Sequence, residues 1–221
     1  MGLGAAGAAA LVGCSSSART AGLPSVPWPN VSPRPEPPRP TPPRAPIAEA
    51  GPDGVITRTA WTRAKPIASR VNPMNGIRRI TLHHEGAADS PVYFTDYKAT
   101  AKRIALVRRV HMERGWGDIG YHYIVDRAGR VWAARPLELQ GAHVRDNNEH
   151  NIGIMCLGNF DIQAPSDAQL KAVTRFTRDL RHSHRVPVAR IHTHQELVAT
   201  SCPGRSMQPR IAMFRSNGNF A

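Results

Sequence analysis

The chain has 221 residues, with 29 Lys and Arg against 16 Asp and Glu, a formal charge of +13, 20 prolines and 3 cysteines. That length holds about one globular domain plus extensions. The 41% hydrophobic content supplies a core and excludes wholesale disorder, no apolar run reaches the roughly 20 residues of a spanning helix, and three cysteines exclude a disulfide scaffold.

The first thirteen residues, MGLGAAGAAALVG, are small and apolar and read as an export segment ending at a small-residue cleavage site. Leu11-Val12-Gly13-Cys14 resembles the lipobox of bacterial lipoproteins, which implies lipidation of Cys14 and a membrane anchor. The resemblance departs from its pattern at one point, since no Lys or Arg precedes the apolar run. Twelve of the 20 prolines lie between Pro24 and Pro52. Proline fixes φ and donates no hydrogen bond, so residues 14–52 read as a lipid-anchor site and a disordered, extended Pro-rich linker.

Residues 53–221 carry 25 basic and 14 acidic side chains, so the charge belongs to the domain and not to the linker. Arg78–His83 has strand alternation, with Ile80 and Leu82 on one face and Thr81 and His83 on the other. Asp96 to about Arg114 has a helical stripe of Tyr97, Ala101, Ile104, Val107 and His111, ended by Gly115. Gly120–Asp126 and Arg130–Ala133 form a hairpin about Ala128-Gly129, and Asn151–Leu157 reads as a buried strand. Ser166 with Gln169 predicts a capping box for a helix whose apolar stripe is Leu170, Val173, Phe176, Thr177 and Leu180. Arg190–His192 suggests a last strand. The order strand, helix, hairpin, strand, helix, strand predicts an α/β single domain with a central mixed β-sheet flanked by helices.

Histidines gather at the ends of these elements: His83-His84 after the first strand, and His192 and His194 after the last, with Cys202 eight residues beyond His194. Two imidazoles and a thiolate make a three-ligand set with an open fourth position, which suits a catalytic zinc. The spacing by itself is weak, because loop histidines are common and a cysteine before Pro-Gly can be a buried turn residue.

Five blocks occur in order: Ile80-Thr81-Leu82-His83-His84, Gly115–Tyr123 (GWGDIGYHY), Gly141-Ala142-His143, Asn151-Ile152-Gly153-Ile154, and His194 through Cys202-Pro203-Gly204. Together they resemble the type 2 zinc-dependent N-acetylmuramoyl-L-alanine amidases, a family that includes phage amidase lysozymes and animal peptidoglycan recognition proteins. The resemblance spans about Arg78 to Gly204. It implies zinc held by His83, His194 and Cys202, with His84 and His192 as competing choices. It further implies Tyr121 and Thr200 as catalytic residues, and His143 at the substrate groove.

The implied reaction is hydrolysis of the amide between N-acetylmuramic acid and the L-alanine of the stem peptide. Tyr121 would donate to the developing oxyanion and Thr200 would supply a second donor. The branch that acts on anhydro-muramyl peptides has a glutamate after the buried I-G-I, where this chain has Met155. Glu85 is then a candidate base, although an acidic residue at a strand exit is ordinarily solvated, and Glu196 a candidate to orient a ligand. Cys156, His111 and His122 read as packing residues.

The implied partners are peptidoglycan or muropeptides, and a membrane through the lipid anchor, with a monomer and no nucleic acid. The implied location is that of an exported, membrane-anchored lipoprotein facing the periplasm or cell wall. The competing function is a peptidoglycan-binding module without catalysis, a type that commonly loses the cysteine ligand.

Overall fold

Alternation along β1 (Arg79–His84) sends Ile80 and Leu82 into one apolar layer, while Thr81 and His83 face the other way. The computed structural model describes residues 54–87 and 91–221. The export segment, Cys14 and the proline-rich linker read from the sequence lie outside these residues. β1 occupies an inner place in a five-stranded sheet of order β3-β2-β4-β1-β5, where β2 is Tyr123–Val125, β3 Val131–Ala133, β4 Asn151–Cys156 and β5 Ile191–Thr193. β1 pairs parallel with both β4 and β5, β2 pairs parallel with β4, and only the β2–β3 hairpin is antiparallel. The mixed sheet flanked by helices is therefore present, and β4, nearly all apolar in sequence, is buried along its whole length at the centre.

Helix α1 (Tyr97–Glu113) starts where Asp96 accepts the Ala99 N–H at 2.7 Å. Its buried residues Ile104 and Val107 join Ile124, Trp132, Met155 and Leu157 in one layer of the core. Removing a fully buried side chain such as Ile104 to alanine costs about 2–5 kcal/mol. The Met155 side chain, at the position where one branch of the resembled family has a glutamate, belongs to this apolar layer.

Helix α2 (Asp167–Ser183) covers the opposite face with Ala172, Val173 and Leu180 against Ile80, Leu82, Ile152 and Ile154. Ser166 caps it by accepting from Gln169 N at 3.1 Å. The capping box is only half made: the Gln169 side chain turns into the core and donates to the carbonyls of Val125 and Leu157, both at 3.0 Å. Val125 O already accepts the Leu157 N–H at 2.9 Å, so Gln169 adds a second donor there and ties the ends of β2 and β4 to the start of α2.

Helix α3 (Gln208–Ser216) has no counterpart in the sequence expectations. It has a single buried residue, Ile211, which joins the core with the partly buried Phe214 packed beside it, and Arg215 adds a polar tie by donating to Ile191 O at 2.8 Å and pairing with Glu196.

Candidate metal centre and active site

The C-terminal ends of the adjacent parallel strands β1 and β5 deliver His83 and His194, and the loop after β5 brings Cys202 back to them. Sites in open α/β sheets form at this end of the strands. The ligand atoms of His83, His194 and Cys202 all lie within 4.8 Å of one another, the one such cluster among the described residues. A tetrahedral centre with metal–nitrogen distances of about 2.0–2.1 Å and a metal–sulfur distance of about 2.3 Å has a nitrogen–sulfur edge of about 3.6 Å. The Cys202 Sγ to His83 Nδ1 separation is 3.6 Å.

Strand facing decides between the paired histidines. His84 points to the other side of the sheet, where its Nδ1 accepts the Phe160 N–H at 3.1 Å and its ring lies 6.0 Å from that of Phe160. The His84 backbone N–H still serves the site, since it is directed at Cys202 Sγ at 3.4 Å. His192 lies outside the cluster, with its Nδ1 4.0 Å from a Glu196 oxygen.

The electrostatics keep the nitrogen donors neutral. Burial, followed by the neighbouring His143, His194 and His84, holds the His83 imidazole well below its ordinary value, and burial lowers His194 as well. Neutral imidazoles offer lone pairs to a cation. Burial pushes the Cys202 thiol up to about 12, with the His84 N–H opposing it. A divalent cation at this point favours the thiolate and reverses that trend. Two neutral imidazoles and one thiol, with no carboxylate among them, fit zinc and not magnesium or calcium.

Around this cluster, the Tyr121 ring lies 5.2 Å from the His83 ring, centre to centre. Burial, then Cys202 and Glu85, raise its phenol above the ordinary value, so the group is a hydrogen-bond donor at neutral pH and not a base. Thr200 is exposed, and its hydroxyl oxygen accepts the Cys202 N–H at 3.3 Å, which leaves its own O–H to donate outward. A cleft of about 430 Å³ adjoins Tyr121 along α1, walled by Glu85, Arg103, Val107, His111 and Arg114.

Glu85 is not a solvated strand-exit residue. Its side chain is 7% exposed, one oxygen is held by Arg103, and the other is buried without a partner. Burial raises its carboxyl despite Arg103. Glu196 sits below the cluster: it accepts the Thr193 N–H at 3.0 Å and holds Arg215 and Gln208 of α3, which fixes the turn that carries His194. Arg215 and the Thr193 N–H, working against burial, bring its carboxyl down to about 2.

His143 has a different place from the groove wall. It is 7% exposed, its Nδ1 lies 3.0 Å from His83 Nε2, and its Nε2 lies 3.1 Å from the Asn151 carbonyl, so both ring nitrogens are occupied inside the protein. Sequence reasoning also passed over Arg135. This buried residue donates to the carbonyls of Ile119, Gln140 and Asp118 and so straps down the loop that leads into Tyr121. A lone arginine after a predicted strand gives no signal of that. Cys156 is a wholly buried core residue, as its apolar surroundings in sequence suggest, and burial raises its thiol.

A mixed α/β sheet with a His-His-Cys cluster at the carboxyl ends of its parallel strands defines a protein with a candidate metal site. Residues 72–205 match the family model Amidase_2, described as N-acetylmuramoyl-L-alanine amidase, and the chain belongs to that family. Over 133 residues it is 33% identical to the N-acetylmuramoyl-L-alanine amidase of Sus scrofa, covering 57% of this chain and 21% of that protein. The chain thus matches about a fifth of the length of that mammalian relative. It is 32% identical over 107 residues to the endolysin of Enterobacteria phage K11, covering 46% of this chain and 70% of the endolysin. Among solved structures, peptidoglycan recognition protein-LE in complex with tracheal cytotoxin, a monomeric diaminopimelic acid-type peptidoglycan, superposes with a TM-score of 0.63 at 21% identity. That superposition covers 72% of this chain and 93% of the other, and shows a shared fold.

Proposed function

We propose that this chain hydrolyses the amide bond between N-acetylmuramic acid and L-alanine in peptidoglycan, with zinc held by His83, His194 and Cys202. The observation that carries this reading is the set of three ligand atoms within 4.8 Å, built from two neutral imidazoles and a thiol. When bound, zinc supplies Lewis-acid polarisation of the scissile carbonyl and acidification of water. The chain's own residues do the rest. Tyr121, with its phenol kept protonated, donates to the oxygen on which negative charge develops, and the outward Thr200 O–H is a second donor. The cleft beside Tyr121 takes the substrate, and its Arg114 suits an anionic partner.

The retained cysteine favours catalysis over a binding module. In the same reading the domain acts as a monomer, exported, facing the periplasm or cell wall and tethered through a lipid on Cys14. That tether rests on the sequence Leu11–Cys14 alone, and the mass of the mature N-terminus tests it. For the activity, purified sacculi are incubated with the full-length chain, with and without chelator, and the soluble products are analysed. Free stem peptides that disappear with chelator and return with zinc are expected. Binding to sacculi without release of peptides, by zinc-replete protein, would overturn the enzyme reading in favour of the binding module.

A further inference from the structure

His143 is the third imidazole against the cluster, and the proposed reaction gives it no part. We propose that His143 is a positioning residue that fixes His83 in its Nε2–H tautomer, so that the His83 Nδ1 lone pair is the one presented beside Cys202 and His194. The inference depends on the zinc reading only for what that lone pair binds.

The assignment starts from a backbone carbonyl. Asn151 O can only accept, and it lies 3.1 Å from His143 Nε2, so that nitrogen carries the hydrogen. A neutral imidazole has one N–H, which makes His143 Nδ1 an acceptor. His83 Nε2, 3.0 Å away, must then be the donor. The hydrogen of His83 is thereby spent on His143, and its Nδ1 is left bare, facing Cys202 Sγ at 3.6 Å. The other tautomer of His83 would set two lone pairs against each other at 3.0 Å, or would turn the His143 lone pair onto the Asn151 carbonyl. Either leaves buried polar atoms unpaired.

The anchor of this relay is itself held. Asn151 Oδ1 accepts from Thr81 Oγ1 at 2.9 Å, and Asn151 Nδ2 donates to Asn147 O at 2.7 Å. The Asn148 side chain accepts the N–H groups of His143 and Val144 at 2.7 and 2.9 Å, which fixes the backbone from which the ring projects. Space for the ring comes from two glycines: a Cβ on Gly141 or Gly153 would stand 2.4 or 2.5 Å from His143 Cδ2. The G-A-H and N-I-G-I blocks are thus one device, a slot and a carbonyl that together set which nitrogen of a neighbouring histidine is free.

Two measurements on the full-length chain test this. First, ring ¹⁵N–¹H correlation spectra of the metal-free wild type report the tautomers directly: both His83 and His143 are expected as Nε2–H, and His83 found as Nδ1–H refutes the proposal without any mutation. Second, zinc affinity is titrated for His143→Gln, whose amide oxygen and nitrogen can replace the acceptor and the donor, and for His143→Leu, which has neither. The glutamine variant is expected to stay within a fewfold of wild type, and the leucine variant to lose about 10–100-fold. A folded His143→Leu protein that binds zinc like the wild type refutes the positioning role and leaves the zinc site standing. If the leucine variant does not fold, the wild-type spectra decide. A folded wild type that takes up no zinc removes the zinc reading, and the tautomer assignment is still judged by the spectra.

Discussion

Lowering the pH from about 7.5 to 5 is expected to destabilise the metal-free protein steeply, because its buried histidines are held neutral. His111 and His122 are 6% and 1% exposed, and each has its Nδ1 committed as an acceptor, to Gly120 N–H and Gly153 N–H respectively. Burial first, then Arg114 and Arg135, push His111 from 6.5 down to about 4. Burial and Arg135 bring His122 to about 4, against the opposing Leu139 carbonyl. For a base whose native value is depressed, the unfolded chain binds more protons in the interval between the two values. The stabilisation is therefore complete above pH 6.5 and is lost as the pH falls toward 4. Protonation across that window costs on the order of 3 kcal/mol per ring, and at pH 5 the two together cost about 4 kcal/mol. That is a large part of a typical stability of about 5–15 kcal/mol.

Urea unfolding of the full-length chain with chelator, at about pH 7.5, 6 and 5, reads this out. With a slope of about 2 kcal/mol per molar, the midpoint should drop by about 2 M. His122→Gln, which can keep an acceptor for Gly153 N–H, should flatten the dependence by on the order of 1 kcal/mol per pH unit. Glu196, brought to about 2, loses its contribution only below about pH 4.5, outside the window. Glu85, raised by burial, acts in the opposite sense. A midpoint that stays constant between pH 7.5 and 5 would refute the claim that these rings are buried as neutral acceptors.

Cys202→Ala should abolish stoichiometric zinc retention and sacculus hydrolysis, whereas Cys156→Ser should keep its metal; metal analysis by mass spectrometry separates the two cysteines. Tyr121→Phe should lower turnover by about 10²–10³-fold with zinc content near wild type, and unchanged turnover would remove the phenol from the reaction. Asp126→Ala should cost about 3–5 kcal/mol in unfolding free energy. Its buried carboxylate accepts from Ala128 N, Arg130 N, Arg130 Nε and Trp132 Nε1 and so closes the β2–β3 turn.

The sequence by itself determined the strands, the two main helices and a short set of candidate ligands. Alternation along Arg79–His84 is a local property of a strand, so it separates His83 from His84 before any tertiary contact is known. The capped starts at Asp96 and Ser166 are likewise local, since they depend on residues three positions apart. The tertiary structure decided what depends on partners far along the chain. Gln169 turns inward, where its amide donates to the carbonyls of two distant strand ends. Glu85 is buried because Arg103 of α1 reaches it. α3 docks because Ile211 and Phe214 meet the core and Arg215 meets Glu196 and Ile191 O. His143 moves from an imagined groove wall to the interior because Gly141, Gly153 and the Asn151 carbonyl converge on it from separate segments. Composition and spacing record which donors and acceptors a chain owns; only the packed fold assigns each one its partner.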